Sequence, residues 1–161
     1  MDVISHISDL RKELKVYRNE AQSIGLVPTM GNLHEGHLHL IKEALKENDY
    51  TVVTIFVNPL QFSPNEDFNN YPRTLSQDVE KLKILGCNCV FVPKNKEIFD
   101  GQLDDQTQLR IPRLSDIHCG KSRPGHFDGV ATIVCQLLNI VNPNIAYFGL
   151  KDYQQYLIIK K

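Results

Sequence analysis

Apolar and polar residues follow two rhythms along this chain. Short continuous apolar runs, of the kind that fill a strand covered on both faces, occur at 24–29 (IGLVPT), 51–57 (TVVTIFV), 89–92 (CVFV) and 145–148 (IAYF). Between them, apolar residues fall at helical spacing. Leu38, Ile41 and Leu45 predict a helix over 37–47, and Leu75, Val79 and Leu82 predict one over 75–85. Val130, Ile133, Val134, Leu137 and Val141 predict the inward face of a helix over 128–141. Thr74 and Gln77 have capping-box spacing, Gly86 is placed to end the second helix, and Asn142-Pro143 ends the third. The stretch 93–124, with Pro93, Pro112 and Pro124, is expected to form loops, a short strand near 109–111 and a helical turn. Another helix begins near residue 151 and carries no C-cap signal before Lys161, so further protein is expected to follow. Strand and helix in alternation predict an α/β fold: a parallel sheet with helices on both faces.

Composition narrows the partners. A length of 161 residues fits one domain, and 42% hydrophobic with 23% charged residues is a globular profile. A net charge of −1 gives no bulk attraction to nucleic acid or an anionic membrane. No apolar run reaches the roughly 18 residues of a membrane span, and the opening MDVISHISDLRKEL lacks the apolar core of a secretory signal. The expectation is a cytoplasmic protein with neither nucleic-acid nor membrane partners. Cys87, Cys89, Cys119 and Cys135 form no CxxC pair. Cys87 and Cys89 are placed on one face of a strand, and all four are expected as free buried thiols, with a metal or redox pair as the alternative.

The informative chemistry lies at Thr29-Met30-Gly31-Asn32-Leu33-His34-Glu35-Gly36-His37, between the first of these strands and the first helix. In a doubly wound sheet this turn sits at the carboxyl edge, where ligands bind. The helix start supplies free N–H groups and a positive dipole end, and two glycines let a phosphate approach the backbone. His34 and His37, three residues apart, face the same side. The segment is not a P-loop, because His37-Leu38 stands where Lys-Ser/Thr is required, and no GxGxxG is present. It is not a zincin helix either, because Leu38 stands where the second histidine is needed. The residues alone leave three readings open: a phosphate site, a structural turn with surface histidines, or a metal site.

The turn resembles the HxGH element of the nucleotidylyltransferase superfamily. The longer string VPTMGNLHEGHLHLI is similar to the pantothenate synthetase (pantoate–β-alanine ligase) family. Four other segments match that family in order: IFVNPLQF at 55–62, YPRT at 71–74, SRPGHFDGV at 122–130 and FGLKDYQQ at 148–155, where Leu150 replaces the family's usual Glu. The resemblance spans essentially residues 1–161. It implies a Rossmann-like nucleotide- and pantoate-binding domain, without the family's smaller C-terminal domain and its Ser/Arg-rich lid loop. Turnover by residues 1–161 alone is then expected to be weak or nil.

The same resemblance implies an ATP-dependent ligase that joins pantoate to β-alanine through pantoyl-adenylate. It places His34, His37 and Lys151 in catalysis. ATP is expected along Met30, Gly31, Asn32, Leu33, His34, Glu35, Gly36 and His37, and along Gly149, Leu150, Lys151 and Asp152. The small substrates fall to Gln61, Gln155, Asn58, Met30 and Arg123. Mg²⁺ is expected to arrive on ATP, with Asp152 helping through water rather than a protein cage. Arg73 and His126 are left between substrate and structural roles. A homodimer is implied. The rival readings are a nucleotidylyltransferase acting on a phosphate ester, and a domain that binds ligands without turnover.

Overall fold

The computed structural model describes residues 1–63, 68–99, 103 and 106–161. Its strands are β1 (Asp2–Ile4), β2 (Ile24–Thr29), β3 (Tyr50–Ile55), β4 (Cys89–Phe91) and β5 (Ile145–Ala146). They form one parallel sheet in the order β1-β4-β3-β2-β5. The helices are α1 (Ile7–Asn19), α2 (Glu35–Glu47), α3 (Leu75–Ile84), α4 (Asn95–Phe99), α5 (Cys119–Ser122), α6 (His126–Val141) and α7 (Tyr153–Ile159).

Side-chain alternation along the strands decides which helix packs where. Ile24 and Leu26, Tyr50 and Val52, and Cys89 and Phe91 face one side, where Leu10 and Leu14 of α1 and the apolar stripe of α6 cover them. Val27, Val53, Ile55 and Val90 face the other side, under Ile41 and Ala44 of α2 and Leu82 of α3. This is the doubly wound arrangement the alternating pattern predicts. Among the described residues, no helix is long and apolar enough to cross a membrane.

The chain steps outward from β2 through β3 to β4, then returns to lay β5 on the opposite side of β2. Strand order therefore reverses at β2, and the crevice at its carboxyl end is the topological switch point. β5 pairs with β2 only at Gly25↔Ile145 and Leu26↔Ala146. The backbone of Ile24 and Leu26 points toward β5, through Asn144 N–H to Ile24 O and Tyr147 N–H to Leu26 O. The position two residues further on that edge is Pro28, which has no N–H to offer. Pairing stops there, and the two strands part.

Several local expectations change. β1 and α1 lie in a stretch for which the apolar pattern predicted no elements. β1 is a three-residue edge strand whose Val3 is 53% exposed, and α1 shows only a narrow stripe of Ile7, Leu10, Leu14 and Tyr17 among charges. Thr74 does not build a capping box, because its hydroxyl donates to Asp78 Oδ2 at 2.9 Å instead of accepting from the helix backbone. No strand forms at 109–111; the Leu109 N–H donates to the Thr132 hydroxyl at 2.9 Å. Part of the loop expected over 93–124, at 100–102 and 104–105, lies outside the described residues. Cys87 precedes β4 and packs on the α2–α3 side, whereas Cys89 packs on the α1–α6 side, so the two do not share a face. All four thiols are free, but Cys119 is exposed and Cys135 half-buried. The end of α6 is as read: Asn142 adopts φ +44° and its N–H closes on Leu138 O.

Candidate active site

Beyond β2 the chain turns through Gly31 (φ +82°) and Asn32 (φ +51°), both left-handed. A Cβ on Gly31 would lie 3.1 Å from Ile55 Cγ2 and 3.2 Å from Asp78 Oδ2, which adds a packing reason for glycine to the conformational one. His34 is the N-cap of α2. Its Nδ1 accepts from Gly36 N–H at 3.1 Å, and its own N–H points at His37 Nδ1 at 3.5 Å. The two imidazoles thus cap the helix reciprocally, and in their neutral forms both carry the proton on Nε2. Their ring centroids are 4.2 Å apart. Two outward N–H donors therefore sit at the positive end of the α2 dipole, an arrangement suited to an anion, although the Gly36 amide, expected to be free, is taken by His34 Nδ1.

Burial holds the His37 pKa below the ordinary histidine value of 6.5, and His34 adds to the depression; Asp78 and Asp152 oppose it, and Lys151 assists it. A histidine that loses basicity on folding contributes stability above its unfolded pKa, and that contribution is lost as pH falls below about 6.5. A bound polyphosphate reverses the bias by favouring the imidazolium. The His37 ring protons are therefore expected to titrate below 6.5 in the ligand-free protein, and a polyphosphate seated against the ring would move them upward. A proton NMR titration with and without inorganic tripolyphosphate tests this, and an unmoved midpoint would count against an anion site at the ring.

The second wall follows β3. Asn58 leads into a 3-10 turn, Pro59–Gln61. Its Oδ1 accepts from Leu60 N–H at 3.2 Å, and its Nδ2 donates to Gln61 Oε1 at 3.2 Å and to Gly129 O at 3.1 Å. Asn58 is only 1% exposed. Both its amide hydrogens are thus used inside the protein, and it orients Gln61 rather than offering donors to a ligand. Gln61 Nε2 approaches Met30 Sδ at 3.0 Å. The turn lies directly on α6: a Cβ at Gly129 would fall 2.3 Å from Leu60 O. The His126 ring ties this turn to the next loop. Arg123 donates to its Nε2 at 2.9 Å, so its Nδ1–H donates to Gln61 O at 2.8 Å.

The third wall is the 3-10 turn Leu150–Asp152 and the start of α7. Gln155, Asp152, His37, Gln61 and Met30 meet around a cavity of about 160 Å³, whose apolar floor includes Val130, Ile133, Val134 and Leu137 of α6. An adjoining cavity of about 330 Å³ shares Met30, Gln61, Asp152 and Gln155, and adds Arg123, His126 and Lys151. Neither the Gln155 amide nor the Asp152 carboxylate hydrogen-bonds another described residue. His37 and the two glutamines therefore share one cleft, whereas His34 lines neither of these two cavities.

Other candidate residues sit differently. Leu33 is a core residue at 2% exposure, and the N–H groups of Asn32 and Leu33 are taken by Asp78. Glu35 is exposed at the helix start, and Leu150 is 65% exposed. A Cβ at Gly149 would meet only Leu40 at 3.8 Å. Arg73 wraps its own loop, donating to the carbonyls of Phe68, Asn69 and Tyr71. Gln154, next to Gln155, pins another loop by donating to Leu114 O and Ile117 O and accepting from Cys119 N–H. Three supporting residues had no role in the motif reading: Asp78, outside the matched segments, and Gly129 and Gln154, within them. A charged residue within an apolar stripe, and a glycine inside a helix, are the signals that mark the first two. Among the described residues, no group of three or more His, Cys, Asp or Glu comes together as a metal cage.

A family model described as Pantoate-beta-alanine ligase matches residues 2–161. The pantothenate synthetase of Alteromonas mediterranea is 52% identical over 160 residues, covering 99% of this chain and 57% of that protein. The pantothenate synthetase of Shewanella sp. (strain MR-7) is 51% identical over 156 residues, covering 97% of this chain and 56% of the relative. Among solved structures, pantothenate synthetase from Thermus thermophilus superposes with a TM-score of 0.92 at 42% identity, over 99% of this chain and 56% of that one. Pantoate-beta-alanine ligase from Francisella tularensis, complexed with beta-gamma ATP and beta-alanine, gives 0.88 at 44% identity, over 99% of this chain and 60% of that one. The chain spans little more than half the length of these relatives. A match that runs along the whole chain, on the same fold, makes this chain a member of the pantoate-beta-alanine ligase family.

Proposed function

We propose that the protein uses ATP to condense pantoate with β-alanine through pantoyl-adenylate, and that residues 1–161 form its nucleotide- and pantoate-binding domain. One observation carries the reading: a small cavity joins His37, the Gln61 and Gln155 amides and an apolar floor. Pantoate has the matching chemistry. Its two methyl groups suit Val130, Ile133, Val134 and Leu137, and its hydroxyls and carboxylate suit primary amides that both donate and accept. The family relationship, and the Francisella relative with beta-gamma ATP and beta-alanine, support the same substrates.

In this reading the pantoate carboxylate oxygen attacks the α-phosphorus of ATP, forming an acyl–phosphate P–O bond as the bond to pyrophosphate breaks. The β-alanine amine then attacks the acyl carbon, loses a proton and expels AMP. No covalent enzyme intermediate is required. The protein's contribution is positioning and charge stabilisation. The outward Nε2–H groups of His34 and His37, the positive end of the α2 dipole and the Lys151 ammonium receive the phosphate charge. Mg²⁺ bound to the phosphates would neutralise part of it, and the Asp152 carboxylate beside His37 would hold the ion through water. Arg123, in the adjoining cavity, suits a substrate carboxylate. Asn32 and Leu33 contribute through the path of the backbone, and Asn58 through Gln61. The resemblance alone carries the further reading of a cytoplasmic homodimer.

Gln61→Ala is expected to weaken pantoate binding by about tenfold or more, the equivalent of one or two hydrogen bonds, with ATP affinity nearly unchanged. Calorimetry with each ligand tests this, and an unaltered pantoate affinity would refute the assignment. Pyrophosphate release measured with pantoate and with phosphate-ester acceptors separates the ligase from a nucleotidylyltransferase.

A further inference from the structure

Asp78 is absent from the chemistry above, yet it is fully buried. A buried carboxylate is costly unless its oxygens are hydrogen-bonded, and here three donors converge on it. Oδ2 accepts from Asn32 N–H at 2.9 Å and from the Thr74 hydroxyl at 2.9 Å, and Oδ1 accepts from Leu33 N–H at 2.8 Å. The two backbone donors belong to the residues immediately before His34. One turn further along α3, Lys81 Nζ donates to Leu33 O at 2.6 Å. Thus α3 grips Leu33 by both its N–H and its C=O, and its carboxylate lies close beneath the left-handed Gly31. The path from β2 into α2 hangs on a helix that belongs to neither element.

We propose that Asp78 is the positioning residue of the histidine turn: through the Asn32 and Leu33 amides it fixes the direction in which the Nε2–H groups of His34 and His37 point. It touches no ligand itself. Its charge also opposes the loss of basicity that burial imposes on His37. The ligand-binding half of the test rests on the reading of His34 and His37 as phosphate donors; the backbone half does not.

Asp78→Asn keeps the shape but replaces one acceptor oxygen with an NH₂ that faces an N–H. In the 161-residue chain, amide hydrogen exchange at Asn32 and Leu33 is expected to accelerate at least tenfold relative to β3 amides. ATP affinity is expected to fall on the order of tenfold, while pantoate affinity stays within about twofold. A merely structural role would speed exchange across the sheet and weaken both ligands alike, and that result overturns the proposal. Unchanged exchange at Asn32 and Leu33, or unchanged ATP affinity, overturns it equally. If Asp78→Asn does not fold, Thr74→Val decides, because it keeps both backbone bonds but strips one donor from Oδ2: a selective loss for ATP of about threefold is expected, and no loss or an equal loss refutes the role. If the unaltered chain binds no ATP, exchange at Asn32 and Leu33 alone decides the clamp.

Discussion

Replacing His37 with alanine, in a polypeptide that also carries the C-terminal domain of the family, is expected to slow pantoate-dependent ATP–pyrophosphate exchange by on the order of 10²–10³-fold, the usual effect of removing one preorganised donor from a developing phosphate charge. The size of the effect follows from how the ring is held. Its Nδ1 is occupied by the N–H of His34, so its proton faces outward before any ligand arrives. Little reorganisation is then needed at the moment of reaction. Alanine also removes half of the reciprocal cap, and His34 loses the ring packed at a tilt against it. The loss should fall on kcat more than on the KM for pantoate, which in the proposed function is held by the glutamines. Exchange kinetics at saturating pantoate make the measurement, and a rate within a fewfold of the unaltered enzyme would remove His37 from the mechanism.

Gly129→Ala carries the second large effect, with a sign opposite to the ordinary one. At an exposed helix position, exchanging glycine for alanine gains up to about 1 kcal/mol. Here the new methyl would lie 2.3 Å from Leu60 O and 2.6 Å from Gln61 N, both backbone atoms that cannot swing aside. Overpacking of this kind typically costs about 1–3 kcal/mol, which for a domain of this size lowers Tm by roughly 2–12 °C. The damage should reach the ligand as well, because the displaced turn carries Gln61, and because Asn58 is bonded to the Gly129 carbonyl. Thermal unfolding with pantoate calorimetry tests both parts. A variant with a raised Tm and intact pantoate binding would show that α6 and the turn are not in rigid contact.

What the sequence disclosed, and what it hid, follows from where each signal is written. β2, β3 and β4 were legible because burial on both faces makes a run of apolar residues, and α6 was legible because its buried face is wide. β1 and α1 were not: an edge strand needs no apolar run, and α1 buries just two residues fully. The histidine turn was legible as a turn into a helix at the carboxyl end of β2, because its glycines lie between an apolar run and a helical stripe, but the residues alone left its chemistry open. The role of Asn58 was not readable. Its amide direction is set by Gly129, 71 positions away, and only the fold brings that carbonyl to it. Asp78 stood out in principle as a charge on an inward helix face, but nothing local named its partners across the gap to Asn32 and Leu33. The loop at 114–119 was unreadable for a similar reason, since the side chain that pins it comes from Gln154.

Proline at position 28 has a further effect on the cleft. Any other residue there would aim an amide proton into the wedge where β5 peels from β2. That proton would either recruit a water or draw the neighbouring strand inward, narrowing the space. With the tertiary amide nitrogen of proline instead, this position has no donor to satisfy, and a ligand can lay hydrocarbon against it without stranding an N–H in a dry place.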